Sequence, residues 1–419
     1  MIQFERFTLA NGLKVIVHRD TSTPMACVNV LYNVGARDED PERTGFAHLF
    51  EHLMFGGSVN IADFDNALQQ AGGENNAFTN NDITNYYLSL PASNLEVAFW
   101  LESDRMLSLA FSDKSLEVQR SVVIEEFKQS YLNQPYGDVW LELPKLAYKV
   151  HPYLWPTIGK EIDHIKHAVM GDVKAFFQKF YCPNNAVLAV TGNVTVDQVK
   201  VLAEKWFGPI PAGNPPLRKL PVEPKQTQAR KLELERDVPV DAIYKAYHMG
   251  ARMDQSFYAM ELLADILTDG NASRMYLELV KNKKMFSEIS AFTMESFDPG
   301  LFIISGKLSE GVTLEAADQA IQEELKKVVL AQVKKEELEK AKNKTESSLI
   351  FSEISILNKA MNLAIFELLG GAEEANNEIE RFGKVTEVDL LVEASRVINE
   401  NNCSTLYYRS KNKANGNGN

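Results

Sequence analysis

The sequence predicts an α+β protein of two duplicated domains, each a mostly antiparallel sheet covered on one face by helices. Three observations carry that expectation. The chain has 419 residues, more than one ordinary core accommodates, and its 45% hydrophobic and 24% charged content is that of a folded globular protein. An extended run ending in Gly-Ala-Arg occurs twice, about half the chain apart: the run 28–34 leads to Gly35-Ala36-Arg37, and the run 242–249 leads to Gly250-Ala251-Arg252. Between them lies a run with Pro209, Pro211, Pro215, Pro216, Pro221 and Pro224 that reads as a connection between compact units. The boundaries that follow are domains at 1–212 and 229–410 and a linker at 213–228. A polar, Gly/Asn-rich tail at 411–419 is expected to be disordered.

In the first half, strands are expected at 13–18, 28–34, 85–90 and 186–191, where β-branched and aromatic residues are bounded by turn formers. Helical patterns cover 44–55, 61–70, 95–109, 116–131, 170–180 and 195–206, and Gly72-Gly73 stops the second of them. In the second half, the runs 242–249 and 301–306 repeat the strands at 28–34 and 85–90. A Glu/Lys-rich tract from 314 to 369 reads as helices with solvated faces.

A net charge of −13 argues against nucleic acid as a partner, because phosphate binding needs clustered Lys and Arg. Cys27, Cys182 and Cys403 are scattered and form no C-x-x-C, so neither a disulfide scaffold nor a cysteine metal site is expected. No basic start followed by an apolar run is visible, and no stretch reaches the ~20 apolar residues of a membrane span. The expected location is cytoplasmic, or periplasmic had a leader been removed.

The most informative segment is His48-Leu49-Phe50-Glu51-His52. Histidines four apart share one helix face, so both imidazoles can reach one metal ion, with Glu51 projecting beside it. This is the His-x-x-Glu-His arrangement of inverted zinc peptidases. A catalytic zinc takes about three protein ligands and leaves a position open for water, whose proton a neighbouring carboxylate can accept. The third ligand must come from elsewhere, and the helix 116–131 offers Glu125 and Glu126. Val122, Val123, Ile124 and Phe127 make this helix read as largely buried. Adjacent residues point about 100° apart, so only one of the two carboxylates faces the metal, and spacing leaves the choice open. The second half has no copy of the motif; Met260-Glu261-Leu262-Leu263-Ala264-Asp265 stands in its place.

Further segments extend the pattern: Asn11-Gly12-Leu13-Lys14-Val15, Gly35-Ala36-Arg37-Asp38-Glu39, the stretch 45–56 around the motif, Gly72-Gly73 with Asn76-Ala77-Phe78-Thr79, Val122-Val123-Ile124-Glu125-Glu126, His151-Pro152-Tyr153 and Tyr181-Cys182-Pro183-Asn184-Asn185. Together they resemble the pitrilysin/insulinase family of inverted zinc peptidases, in its mitochondrial-processing-peptidase-like branch. The resemblance implies one zinc per chain, held by His48, His52 and Glu126, with Glu51 as the catalytic base. It implies that substrate adds as a strand along Asn76, Ala77, Phe78 and Thr79, and that short unfolded peptides are cut in an enclosed chamber.

Two features depart from the family pattern. Gln119 stands where many relatives carry a glutamate that supports the third ligand. Val280 and Ser287 align where active single-chain relatives carry an Arg and a Tyr, although Ser273-Arg274-Met275-Tyr276 keeps the preceding stretch. The chain therefore resembles the metal-bearing subunit of a heterodimer whose homologous partner supplies the Arg/Tyr pair, with a homodimer as the alternative. Rival readings are a processing peptidase for one specific precursor and a non-catalytic assembly subunit. Arg274 is expected to be structural, His18 a surface residue, His164 and His167 a solvent-facing turn, His151 loop packing and His248 core or cleft wall.

Overall fold

Two sheets organise the chain, and apart from one additional edge strand in the first their strand orders coincide. The computed structural model describes residues 1–411, so the expected disordered tail lies, apart from Lys411, outside the described residues. The first sheet holds β1 (Glu5–Thr8), β2 (Lys14–Arg19), β3 (Met25–Tyr32), β4 (Glu74–Thr79), β5 (Thr84–Pro91) and β6 (Ala186–Gly192), ordered β1-β2-β6-β3-β5-β4. The second holds β7 (Arg230–Arg236), β8 (Ala242–His248), β9 (Phe286–Thr293), β10 (Leu301–Leu308) and β11 (Cys403–Ser410), ordered β7-β11-β8-β10-β9. Each is antiparallel except for one parallel pair, β2 with β6 and β7 with β11. The register equates single residues. Tyr32 pairs with Thr84 and Thr84 with Thr79; Tyr247 pairs with Phe302 and Phe302 with Thr293. Tyr32 and Tyr247 each stand three residues before their Gly-Ala-Arg turn. The α+β fold is a duplicated one.

The boundaries read from the proline run do not delimit the compact units. One unit comprises Met1–Gln129, Trp155–Pro221 and Ile350–Asn377; the other comprises Ser130–Leu154, Val222–Leu349 and the chain from Glu378 onward. Each half lends a helical segment to the other half's sheet. Nor is the proline run a free tether. Arg218 grips both carboxylate oxygens of Asp38, at 2.7 and 2.9 Å, and Glu223 accepts from the backbone amides of Lys149, Val150 and His151 at 2.8, 2.9 and 3.0 Å.

In the first unit, α1 (Phe46–Leu53), α2 (Phe64–Gln70), α3 (Leu95–Leu107) and α4 (Asp113–Phe127) follow in chain order. Tyr86, on the face of β5 that meets α1, donates its hydroxyl to Phe50 O at 3.2 Å. The lent helix Ile356–Leu369 takes the opposite face. Thr191, paired with Cys27, points away from Tyr86 and donates to Ile356 O at 2.6 Å. Buried Ala360, Leu363 and Ala364 form an i, i+3, i+4 stripe, and its two alanines let the helix approach β3 and β6 closely. Ion pairs hold its ends, Lys359 to Asp20 at 2.8 Å and Glu367 to Arg6 and Lys14 at 2.9 Å each. With helices on both faces, β3 is buried from Ala26 to Tyr32 without polar alternation. In the second unit α5 (Val139–Ala147) plays the corresponding part, packing Val139, Leu143 and Ala147 against Ala242, Tyr244, Ala246 and Leu406.

Leu363 belongs by sequence to the second half but packs in the first unit's core. Leu363→Ala should cost about 2–5 kcal/mol. Hydrogen exchange should show protection lost in β3 and β6; unchanged protection there would contradict the exchange.

Candidate active site

The helix carrying His48-x-x-Glu51-His52 is short and begins without a capping side chain of its own. Its N-cap is Gly45, in the left-handed region at φ 89°, where a Cβ would stand 2.7 Å from Ile158 O. The cap comes instead from Glu39. Its Oε2 accepts from Gly45 N and its Oε1 from Ala47 N, both at 2.8 Å and buried. Glu39 ends the Gly-Ala-Arg-Asp-Glu turn, and the same turn grips the β4–β5 hairpin. Ala36 N and Arg37 N donate to Asn80 O and Asn81 O at 3.1 and 2.9 Å, and Arg37 pairs with Asp82 at 2.8 Å, both 3% exposed. A Cβ on Gly35 would meet the Asn81 backbone at 2.5 Å, so the close approach requires glycine. One turn therefore sets the start of α1 against the end of β4.

Leu49, Phe50 and Leu53 anchor α1 in the core and leave His48, Glu51 and His52 on its half-buried face. Glu126 on α4 meets that face. Its Oε1 lies 3.7 Å from His48 Nε2 and its Oε2 3.4 Å from His52 Nε2, and one potential ligand atom from each residue lies within 4.8 Å of the others. Glu125 turns out to solvent and pairs with Lys128 at 2.6 Å. Ligand atoms of a tetrahedral zinc with bonds of about 2.0–2.1 Å stand about 3.3 Å apart, so this donor set fits the metal.

Burial pushes His48 down to about 4, with Glu126 opposing and His52 adding to the fall. The imidazole thus stays neutral, the form that ligates, well into acid. Its Nδ1 is buried without a hydrogen-bond partner. Glu126 is lowered, mainly by its hydrogen bond from His52 and against its own burial. Burial raises Glu51, while Thr79, at the end of β4, and the charge of His52 pull it down. The Thr79 hydroxyl stands beside Glu51 but stops short of full hydrogen-bond geometry.

Asn76, Ala77, Phe78 and Thr79 lie on β4, which pairs with β5 alone and forms the sheet edge beside α1. Gln119 is half-buried and, among the described residues, makes no hydrogen bond to His48, His52 or Glu126. The helix that bears Glu126 is less buried than its sequence indicates. Only Leu116, Val123 and Phe127 are buried and Val122 is 43% exposed, because the helix covers the edge of α1 rather than a sheet face. His18 is buried, its Nδ1 2.6 Å from Gln3 O, and His164 Nδ1 accepts from Thr44 N at 3.1 Å just before α1. Neither is the surface residue its position indicates. His167 is exposed; His151 is buried, with Nδ1 accepting from Tyr153 N at 3.2 Å; and His248 Nε2 lies 3.0 Å from Ala147 O.

The second unit keeps part of this arrangement. Thr293 occupies the register position of Thr79 and hydrogen-bonds Glu261 on the helix Gln255–Thr268, as Thr79 stands beside Glu51 on α1. Three residues before Glu261 stands Tyr258, and one after it Leu262, where α1 has His48 and His52. Val280 packs against the core, Ser287 Oγ donates to Lys307 O at 3.3 Å, and Arg274 is held by both oxygens of Glu337 at 2.8 and 2.7 Å.

Comparison with known proteins places this geometry. A family model described as "Insulinase (Peptidase family M16)" matches residues 14–159, and one described as "Peptidase M16 inactive domain" matches 169–345. The zinc protease PqqE of Helicobacter pylori is 32% identical over 81% of this chain and 77% of its own. The chain belongs to the insulinase family of peptidases. The uncharacterized zinc protease YmxG of Bacillus subtilis is 26% identical over 90% of both chains. A crystal structure of a Helicobacter pylori protease superposes with a TM-score of 0.91 at 28% identity, covering 98% of this chain and 100% of that one. The "inactive domain" model spans the end of the first half and the second half as far as residue 345, a stretch that carries no copy of the His-x-x-Glu-His motif.

Glu39 is the residue at this site that sequence reading passed over, though its turn was visible. The upward shift of Glu39 to about 8 comes chiefly from burial, against the amides of Ala47 and Gly45. A carboxyl raised on folding stabilises the fold when protonated. That contribution is complete below the ordinary value of 4.5 and is lost as pH rises through about 8. The melting temperature should therefore fall more steeply from pH 6 to 9 in the native protein than in Glu39→Gln. Parallel curves would show that Glu39 does not titrate in this range.

Proposed function

We propose that this chain is a zinc metalloendopeptidase acting on short unfolded peptides, with one zinc held by His48, His52 and Glu126. The observation that carries the reading is the convergence of those side chains from two helices, with Glu51 on the same face of α1. Bound zinc supplies a Lewis acid for the scissile carbonyl and lowers the pKa of the attacking water. Glu51 takes the proton of that water and returns it to the leaving amine, and the burial that raises its pKa makes it a better proton acceptor. The free edge of β4 binds an extended peptide along Asn76–Thr79 by backbone hydrogen bonds, which favours unstructured chains over folded domains.

The chain is, in this reading, the metal-bearing subunit of a heteromer enclosing a chamber, and a homologous partner supplies the Arg and Tyr absent at Val280 and Ser287. Support comes from the second unit, where Arg274, the nearby cation, is already engaged by Glu337. A processing role for one precursor is the alternative, and cleavage of many unrelated peptides from a library would exclude it.

Glu51→Gln should keep one zinc per chain and lose about 10²–10⁴-fold in turnover of an unfolded peptide. His52→Ala and Glu126→Gln should lose zinc, and Glu125→Gln neither zinc nor activity. Turnover surviving in Glu51→Gln would sink the assigned base. Full activity of the isolated chain, without a co-expressed homologue, would sink the partner requirement.

A further inference from the structure

The second unit contains a cavity of about 320 Å³ between its sheet, the helix Leu314–Leu330 and the segment Ile398–Glu400 that precedes β11, remote in sequence from the metal motif. The duplication supplies the comparison that makes it informative. Lys245 on β8 pairs across the sheet with Thr405 on β11, in the register where the first unit pairs Val30 with Leu188. Val30 and Leu188 are both fully buried. One copy of the fold fills this position with packed apolar side chains, whereas the other leaves a hollow with a charged floor.

That floor is built. Lys245 is 3% exposed, and its ammonium donates to Asp318 Oδ1 at 2.7 Å and to Thr405 Oγ1 at 3.1 Å. Asp318 is saturated, also accepting from Tyr407 OH at 2.9 Å and Gln322 Nε2 at 3.1 Å. An ammonium has three donors, so Lys245 keeps one N–H without an acceptor among the described residues. Stability does not account for the arrangement, because a buried ion pair is no better than apolar residues of similar volume. At the rim, Lys231 and Lys326 have no carboxylate in ion-pair distance among the described residues, in a protein whose net charge is −13. Tyr247, Leu325 and Ile398 supply an apolar wall.

We propose that this cavity binds a small organic anion, a carboxylate or phosphate ester with an apolar body, its head on the free donor of Lys245 and its body against Tyr247, Leu325 and Ile398. The size matches small-molecule sites, which are largely apolar with a few convergent polar groups. The site is separate from the peptidase reading and is tested without any cleavage.

The test is calorimetric titration and thermal melting of the full chain with benzoate, phenyl phosphate and neutral benzyl alcohol. At least one anion should bind and raise the melting temperature with concentration, and the tighter of the two identifies the head group. Leu325→Trp, which fills the cavity, should abolish binding, and Lys326→Glu, a change at an exposed position that leaves the fold intact, should weaken it about tenfold by charge reversal. Binding of neither anion, equal binding of benzyl alcohol, or full affinity in Lys326→Glu or in a folded Leu325→Trp would overturn the proposal.

Discussion

The geometry of the candidate site rests on a carboxylate that is not part of it. Glu39 accepts the first free amides of α1, and the turn that carries it clasps the tip of the β4–β5 hairpin through Asn80, Asn81 and the Arg37–Asp82 pair. A helix of this length is marginal by itself, and its first amides would otherwise be buried without partners. One five-residue turn thus determines where His48, Glu51 and His52 point and how far Thr79 stands from Glu51. The requirement is steric as well as polar, since Gly35 and Gly45 both lie where a Cβ would strike backbone.

Duplication shows which parts of that frame belong to the fold and which to the chemistry. Both units keep the strand order, a Gly-Ala-Arg turn and a buried arginine, with Arg252 paired to Glu378 in the second. Both also keep a half-buried glutamate beside the threonine that ends the edge strand. What differs is the pair of imidazoles beside Glu126, present as His48 and His52 and replaced by Tyr258 and Leu262. The glutamate–threonine pair is thus shared by both units, and among the described residues the two histidines with Glu126 are what give only the first a donor set that fits a metal ion. Released from that task, the second unit carries its own departure at Lys245 and Thr405.

Electrostatics at the site follow from partial burial. His48 is driven toward its neutral form, and Glu126 is kept ionised by the imidazole beside it. Glu51 is raised by its burial, against the pull of Thr79 and His52. Surroundings thus shift the two carboxyls in opposite directions, Glu126 toward its ionised form and Glu51 toward its protonated one.

Much was legible in the chain itself. Periodicity located β2, β3, β5, β6 and the helices α1 to α4 to within a few residues, whereas β1 and α5 went unread and β4 entered only through the family resemblance; the repeated Gly-Ala-Arg turns revealed the duplication. Histidines four apart fall on one helix face whatever surrounds them, so pairing those two candidates needed no coordinates. Long-range placement was not legible. Residues 356–369 read as a helix of their own half, and only packing showed that the alanine-lined stripe fits the far side of β3. The choice between Glu125 and Glu126 was likewise tertiary: adjacent residues have the same local propensity, and only the approach of α4 to α1 turns one inward and the other to Lys128. His18 and His164 were misjudged for the same reason, because burial depends on what arrives from elsewhere in the chain. Local periodicity is a property of neighbours in sequence, whereas capping, exchange and coordination join residues whose separation along the chain carries no signal.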